Sequence, residues 1–149
     1  LDLPTEAQWE YACRGSTTSI FAAGAQLTSL RGFANIADDG SKALYPPSWT
    51  CETGFRDGFA IHAPVGSYRP NALGLHDFHG NVAEWTASAD LPYPFRSNDP
   101  RHADTETRKI ARGGSWYHRA DLSRSACRLS FQSWQRVFNV GFRVACESE

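Results

Sequence analysis

Only one stretch of this chain carries an apolar pattern that predicts a good helix. Between Thr5 and Arg14, the residues Ala7, Trp9, Tyr11 and Ala12 supply apolar surface among polar neighbours. Thr5 and Gln8 stand at capping-box spacing, Pro4 forbids helix upstream and Gly15 supplies a stop. From Ser16 to Pro64 no period is sustained, and Gly24, Gly32, Gly40, Gly54, Gly58 and the Pro46-Pro47 pair mark loops. Some fifty residues of irregular backbone are long for a compact domain, so something other than ladder hydrogen bonds should hold them. Val65–Tyr68 reads as a short strand, followed by a turn at Pro70-Asn71. Residues 80–86 read as a turn and then a strand, 89–107 as a polar surface loop, 110–116 as a strand entered past a double glycine, and 140–145 as the last strand. There is no internal repeat and no sign of a second domain.

Composition sharpens this picture. Five Trp, nine Phe, five Tyr, twelve Gly and eight Pro with no Met describe a loop-rich fold held by aromatic anchors rather than long helices. Fifteen basic and sixteen acidic residues leave a net charge of -1, which gives no footprint for nucleic acid or an anionic membrane. No apolar run approaches the roughly 18–20 residues of a membrane-spanning helix. Cys13, Cys51, Cys127 and Cys146 lack CxxC spacing, which argues against a structural zinc site. One or two disulfides would suit an exported protein, and buried thiols a cytosolic one.

Four segments together carry a resemblance: LPTEAQWEYACRG (3–15), NALGLHDFHGNVAEWT (71–86), RGGSW (112–116) with RSACR (124–128), and GFRVA (141–145). In order and spacing they resemble the formylglycine-generating enzyme, or sulfatase-modifying factor, family over nearly the whole sequence. The resemblance implies an α+β fold, a variant of the C-type lectin fold with little regular secondary structure, short antiparallel strands and few helices. It further implies that 1–149 is the C-terminal part of a single domain whose N-terminal segment is a partner missing from this chain.

The resemblance also implies calcium as a structural cofactor. One site would take side-chain oxygens from Asn35 and Asp57 and carbonyls from Ile36 and Phe59; such a clip would account for the irregular backbone over 16–64. A second would use Glu84, helped by Asn81 and nearby carbonyls. Both residue types are equally at home as ordinary turn or buried hydrogen-bonding residues. Cys13 matches a family cysteine that pairs near the GFR strand, and Cys146 lies two residues past the expected partner, so Cys13–Cys146 is the disulfide candidate.

Catalysis is where the sequence departs from the family. Formylglycine-generating enzymes use two cysteines that bind copper(I), placed just after the GGS motif and four residues apart; a soft ion needs that thiolate pair. Here residues 116–123 read WYHRADLS, without cysteine, so no catalytic residue is assigned and copper is not expected. Iron held by histidines is not expected in this chain either, because His62, His76, His79, His102 and His118 show no 2-His-1-carboxylate spacing. His76 and His79 read as structural. Arg112, Arg128 and Arg143 read as structural ion-pair members, with Glu10, Asp77 and Glu84 available as partners.

The remaining stretch, 116–140, carries Trp116, Tyr117, His118, Arg119, Phe131, Gln132, Trp134 and Phe138 without a period. Aromatics and arginine on loops suit a ligand-facing surface, while a packed core is the competing reading for Phe131 and Trp134. The expected function is a divergent, non-catalytic domain of a longer bacterial-type multidomain protein. It would recognise a protein or peptide and be stabilised by calcium. The alternatives are a metal-dependent oxidase acting on a sulfur-containing substrate, and a variable lectin-fold binder that resembles retroelement-diversified proteins. A sugar-binding lectin rests on fold analogy alone.

Overall fold

The computed structural model describes residues 1–94 and 108–146. The helix forms where the capping signals put it. In α1 (Glu6–Arg14) Thr5 accepts from the Gln8 amide, Gln8 Oε1 accepts from the Thr5 amide, and Gly15 closes the helix in the left-handed region. Its inward face presents Glu6, Trp9 and Cys13, and Trp9 and Cys13 pack with Phe78.

Seven regular elements follow the irregular pattern of the sequence. Besides α1 they are β1 (Ala34–Asn35), β2 (His79–Gly80), β3 (Ala83–Ala89), β4 (Arg108–Arg112), β5 (Leu129–Gln132) and β6 (Val140–Phe142). Short 3-10 turns at Leu27–Leu30, Lys42–Leu44 and Ala120–Ser123 complete the described structure. One sheet runs β5-β4-β3-β6 and a second pairs β1 with β2. β3 meets β4 antiparallel, β4 meets β5 antiparallel, and β6 runs parallel to β3. β1 and β2 are also parallel, so the strands are mixed rather than all antiparallel. No helix among the described residues is long and apolar enough to cross a membrane.

Several expected elements moved. Val65–Tyr68 is a turn and not a strand: Ser67 donates to the Pro64 carbonyl, Gly66 sits at φ 78°, and Val65 is 91% exposed. β5 was not foreseen: Leu129–Gln132 alternates apolar and polar residues, but over four positions only, and pairing with β4 is what makes it a strand. The last strand stops at Phe142, with a single further bridge between Asp2 and Ala145. Of the loop expected over 89–107, Ala89 belongs to β3 and residues 95–107, His102 among them, lie outside the described residues.

The irregular half has its own core, built from Phe21, Leu30, Ala34, Ile36, Phe55 and Ala120. Three arginine–glutamate pairs tie α1 and β3 to the C-terminal third of the chain. Arg112, fully buried in β4, bonds Glu10 of α1; Arg128 binds Glu6 through both Nε (2.8 Å) and Nη2 (3.1 Å); Arg143 binds Glu84 through Nε (2.5 Å) and Nη2 (2.7 Å). Glu10 and Glu84 serve as expected, while Arg128 takes Glu6 in place of Asp77.

Candidate functional site

The loop joining β1 to the Phe55–Ile61 segment folds around one half-buried carboxylate. Asp57 Oδ2 accepts from the Ile36 amide at 2.8 Å and Oδ1 from the Phe59 amide at 3.0 Å. Burial pushes its carboxyl up to about 6, and the Asp38 charge adds to this against the two backbone bonds. An anion so poorly compensated is a natural partner for a cation. Beside it, Asn35 donates to the Ile61 carbonyl (2.8 Å) and to Asn81 Oδ1 (3.2 Å) through Nδ2, while its own Oδ1 is buried without a hydrogen-bond partner. No described residue donates to the Ile36 or Phe59 carbonyls. Asp57 thus ties Ile36 and Phe59 together with Asn35 adjacent in the chain, and carboxylate, amide and carbonyl oxygens are the donor types calcium takes. The Tyr68 hydroxyl lies next to Asp57 but outside hydrogen-bonding geometry, and burial with the charges of Asp57, Asp77 and Asp38 raises its pKa.

The second expected pair is not brought together in the same way. Asn81 spends its amide on the protein: Oδ1 accepts from the Ala63 amide (2.8 Å) and from Asn35, and Nδ2 donates to the Ala63 carbonyl (3.2 Å). Glu84 is bound by Arg143 and by Trp9 Nε1 (2.5 Å), so its charge is already neutralised. The side chain that sequence reasoning missed is Asp77. Its Oδ2 accepts from the Gly66 amide (2.6 Å), its Oδ1 is buried without a partner, and it lines a cavity of about 430 Å3 with Asn81, Val82 and Glu84. An Asp just before the HGN turn was the available signal. Among the described residues no three His, Cys, Asp or Glu side chains are grouped to hold a metal, so any metal site here depends on amides and carbonyls.

The expected ligand surface divides in two. Trp116, Tyr117 and Phe138 stack together, with centroids 5.4–5.8 Å apart. They are joined by Tyr45 and Trp49, which the patternless loop gave no reason to single out: Tyr45 lies 4.4 Å from Trp49 and 5.4 Å from Tyr117. Phe138 is 74% exposed. Phe131 instead packs edge-on against Trp85 at 5.8 Å, Gln132 pairs with Arg108 in the sheet, and Trp134 is 77% exposed rather than in the core. Arg119 is held by Glu52 at 3.2 Å.

His118 has a defined role in this cluster. Ser115 Oγ already accepts from Asn139 Nδ2 (2.7 Å) and the Tyr117 amide (3.3 Å), so its proton goes to His118 Nδ1 at 3.0 Å. The ring therefore carries its own proton on Nε2 and is a donor. Burial lowers its pKa, against the Asp121 charge.

His79 is structural, as its place in the sequence suggested. Nε2 accepts from the Ala22 amide (2.9 Å), so Nδ1–H donates to the Ser123 carbonyl (2.8 Å). A second proton would face the Ala22 N–H. Burial depresses the pKa, aided by Arg14 and opposed by the Ser123 bond. The folded state thus holds the ring neutral where the unfolded chain, with a pKa of about 6.5, would protonate it. Stability from His79 is complete above about pH 6.5 and falls as pH drops below it. Melting temperatures from pH 8 to pH 5 should show a steeper acid loss in the wild type than in His79→Gln; parallel curves would remove His79 from the balance.

Cys13 and Cys146 are not brought together: all four cysteines are free, with Cys13 buried against Trp9 and Phe78 and Cys146 exposed. Burial pushes the Cys13 thiol up to about 12, which makes it inert.

Residues 1–148 match the model of the sulfatase-modifying factor enzyme 1-like domain. The chain belongs to that family. Among its relatives is the formylglycine-generating enzyme of Mus musculus, 33% identical over 97% of this chain and 39% of the mouse protein. Another is the inactive C-alpha-formylglycine-generating enzyme 2 of Bos taurus, 31% identical over 96% of this chain and 43% of the bovine protein. Among solved structures, Treponema denticola variable protein 1 superposes with a TM-score of 0.69 at 27% identity, covering 94% of this chain and 45% of that one. This sulfatase-modifying factor-like chain thus spans less than half the length of each of these relatives.

Proposed function

We propose that this chain is a non-catalytic, calcium-stabilised recognition module of the sulfatase-modifying factor-like family. The observation that carries the calcium half is the set of open oxygens at Asn35, Ile36, Asp57 and Phe59 around a poorly compensated carboxylate. Calcium there would clip β1 to the 55–61 loop and replace ladder hydrogen bonds as the restraint on that irregular segment. Asp77, with its own orphaned oxygen, is the best placed side chain for a second ion.

The recognition half rests on the aromatic set Tyr45, Trp49, Trp116, Tyr117 and Phe138, with His118 offering an N–H at its margin. Tyr45, Trp49, Tyr117 and Phe138 are at least partly open to solvent and pack over the buried Trp116, an arrangement that suits a protein or peptide ligand. The absence of a cysteine in 116–123 supports a non-catalytic role, and a bovine relative of similar identity is itself named inactive. The competing reading, oxidation of a sulfur-containing substrate, takes its support from the formylglycine-generating enzyme of the mouse.

Elemental analysis with thermal melts tests the reading. Calcium without copper or iron is expected, with a melting temperature that falls in EDTA. At calcium one hundredfold above its Kd the folded state gains about 2.7 kcal/mol. Asn35→Ala should abolish most of that gain. Stoichiometric copper or iron would support the oxidase, and melting unaffected by EDTA would remove the calcium clip.

A further inference from the structure

We propose that Arg31, Arg56 and Arg69 form a docking surface for an acidic segment of a partner protein. This face shares no residue with the aromatic set, and Arg56 adjoins Asp57 in the chain. Arg14, Arg108, Arg112, Arg119, Arg128 and Arg143 each meet a carboxylate within 4.0 Å, whereas these three meet none among the described residues. All three are exposed. Three guanidiniums thus face solvent with no carboxylate in contact among the described residues.

The face is also built rather than merely charged. The Arg31 guanidinium lies over the Phe55 ring at 5.4 Å and donates to the Gly54 carbonyl at 2.8 Å. The Arg69 guanidinium lies over the Phe33 ring at 4.9 Å and donates through Nη2 to the Arg31 carbonyl at 3.3 Å. Residue 32 has to be glycine for this arrangement: φ is +74°, and a Cβ there would stand 3.0 Å from Arg69 Nη2 and 3.1 Å from Nε. Each fork is thus fixed by a ring and one hydrogen bond, and its other N–H groups have no acceptor among the described residues. The nearby carboxylates, Asp39 and Asp57, accept from the Gly54, Ile36 and Phe59 amides and lie beyond 4.0 Å of these guanidiniums.

Planar forks held in place match carboxylates in bidentate fashion at a low entropic cost. A single small anion on so exposed a face would be screened and gain little. An acidic segment offers several carboxylates at once and covers the Phe33 edge from water, which is the setting where arginine contributes most to interfaces.

Fluorescence anisotropy with a labelled hexaglutamate peptide tests this. Wild-type protein should bind the peptide, more weakly as salt rises. The double variant R31K/R69K keeps the charge but loses the forks, and should bind about tenfold more weakly, in line with the loss of charge-assisted hydrogen bonds. R136A removes another exposed arginine without a carboxylate in contact among the described residues, some seventy positions along the chain from this face, and should bind within about twofold of wild type, as expected for a screened charge outside it. Thermal melts of each variant establish that it is folded; R56A serves as the alternative should the double variant fail. The proposal is overturned if wild type does not bind, if R31K/R69K binds as wild type does, or if R136A loses as much. Competition by inorganic phosphate at matched concentration would also overturn it, showing a small-anion site instead.

Discussion

Gly80→Ala is expected to leave little or no folded protein. Gly80 lies at φ +80° where β2 runs against β1, and an added Cβ would fall 1.8 Å from the Asn35 carbonyl oxygen and 2.7 Å from its carbon. Both are backbone atoms, so no rotamer change relieves the overlap; the strands must part. Parting them breaks the bond from the Asn81 amide to the Asn35 carbonyl (2.7 Å) and shifts the Asn35 side chain proposed to hold calcium. Strain of this kind, added to lost pairing, should cost about 4–5 kcal/mol or more, the range in which single substitutions unfold small domains. Denaturant unfolding of soluble protein would check it: a loss under about 1 kcal/mol would mean that the backbone at this crossing is far more yielding than its geometry indicates.

Arg112→Met should be nearly as damaging. The guanidinium is fully buried and donates to three main-chain carbonyls, Ser125 (3.0 Å), Ala126 (3.0 Å) and Cys127 (2.8 Å), besides its ion pair with Glu10. Its ring-facing side lies over Trp9. Methionine fills much of the volume but supplies no donor, leaving three carbonyls and part of the Glu10 charge without partners. Breaking a buried pair this way costs about 3–5 kcal/mol. Arg112→Lys, which restores one point charge and fewer donors, should recover only part of it. Equal stabilities for the methionine variant and the wild type in chemical denaturation would show that the carbonyls find water.

What the sequence made legible follows from where its physics is local. The capping box and Gly15 act within a few residues, and α1 sits between them as expected. Asn35, Ile36, Asp57 and Phe59 were named through a family resemblance, and the fold brings them to one place, but nothing local marked them: their closeness depends on a long loop closing. Tyr45 and Trp49 escaped notice for the same reason, since their neighbours in space, Trp116 and Tyr117, lie some seventy positions away along the chain. Val65–Tyr68 misled because two bulky residues flanking a glycine look like a strand, whereas a glycine at positive φ turns the chain. Asn81 misled by chemistry alone: an amide suits a cation, but this one satisfies Ala63 and Asn35 first.

The three arginine–glutamate bolts span 122, 102 and 59 residues of chain. Helix α1 can form early, since its capping signals are local and Glu10 pairs with Arg14 one turn on, yet Glu6 waits for Arg128 to arrive and fold back. On a ribosome the helix therefore emerges long before Arg128 can reach its buried Glu6. Contacts of such long range place folding on the slow side for a domain of this size. They also make the last third of the chain the part that fixes α1 in its place.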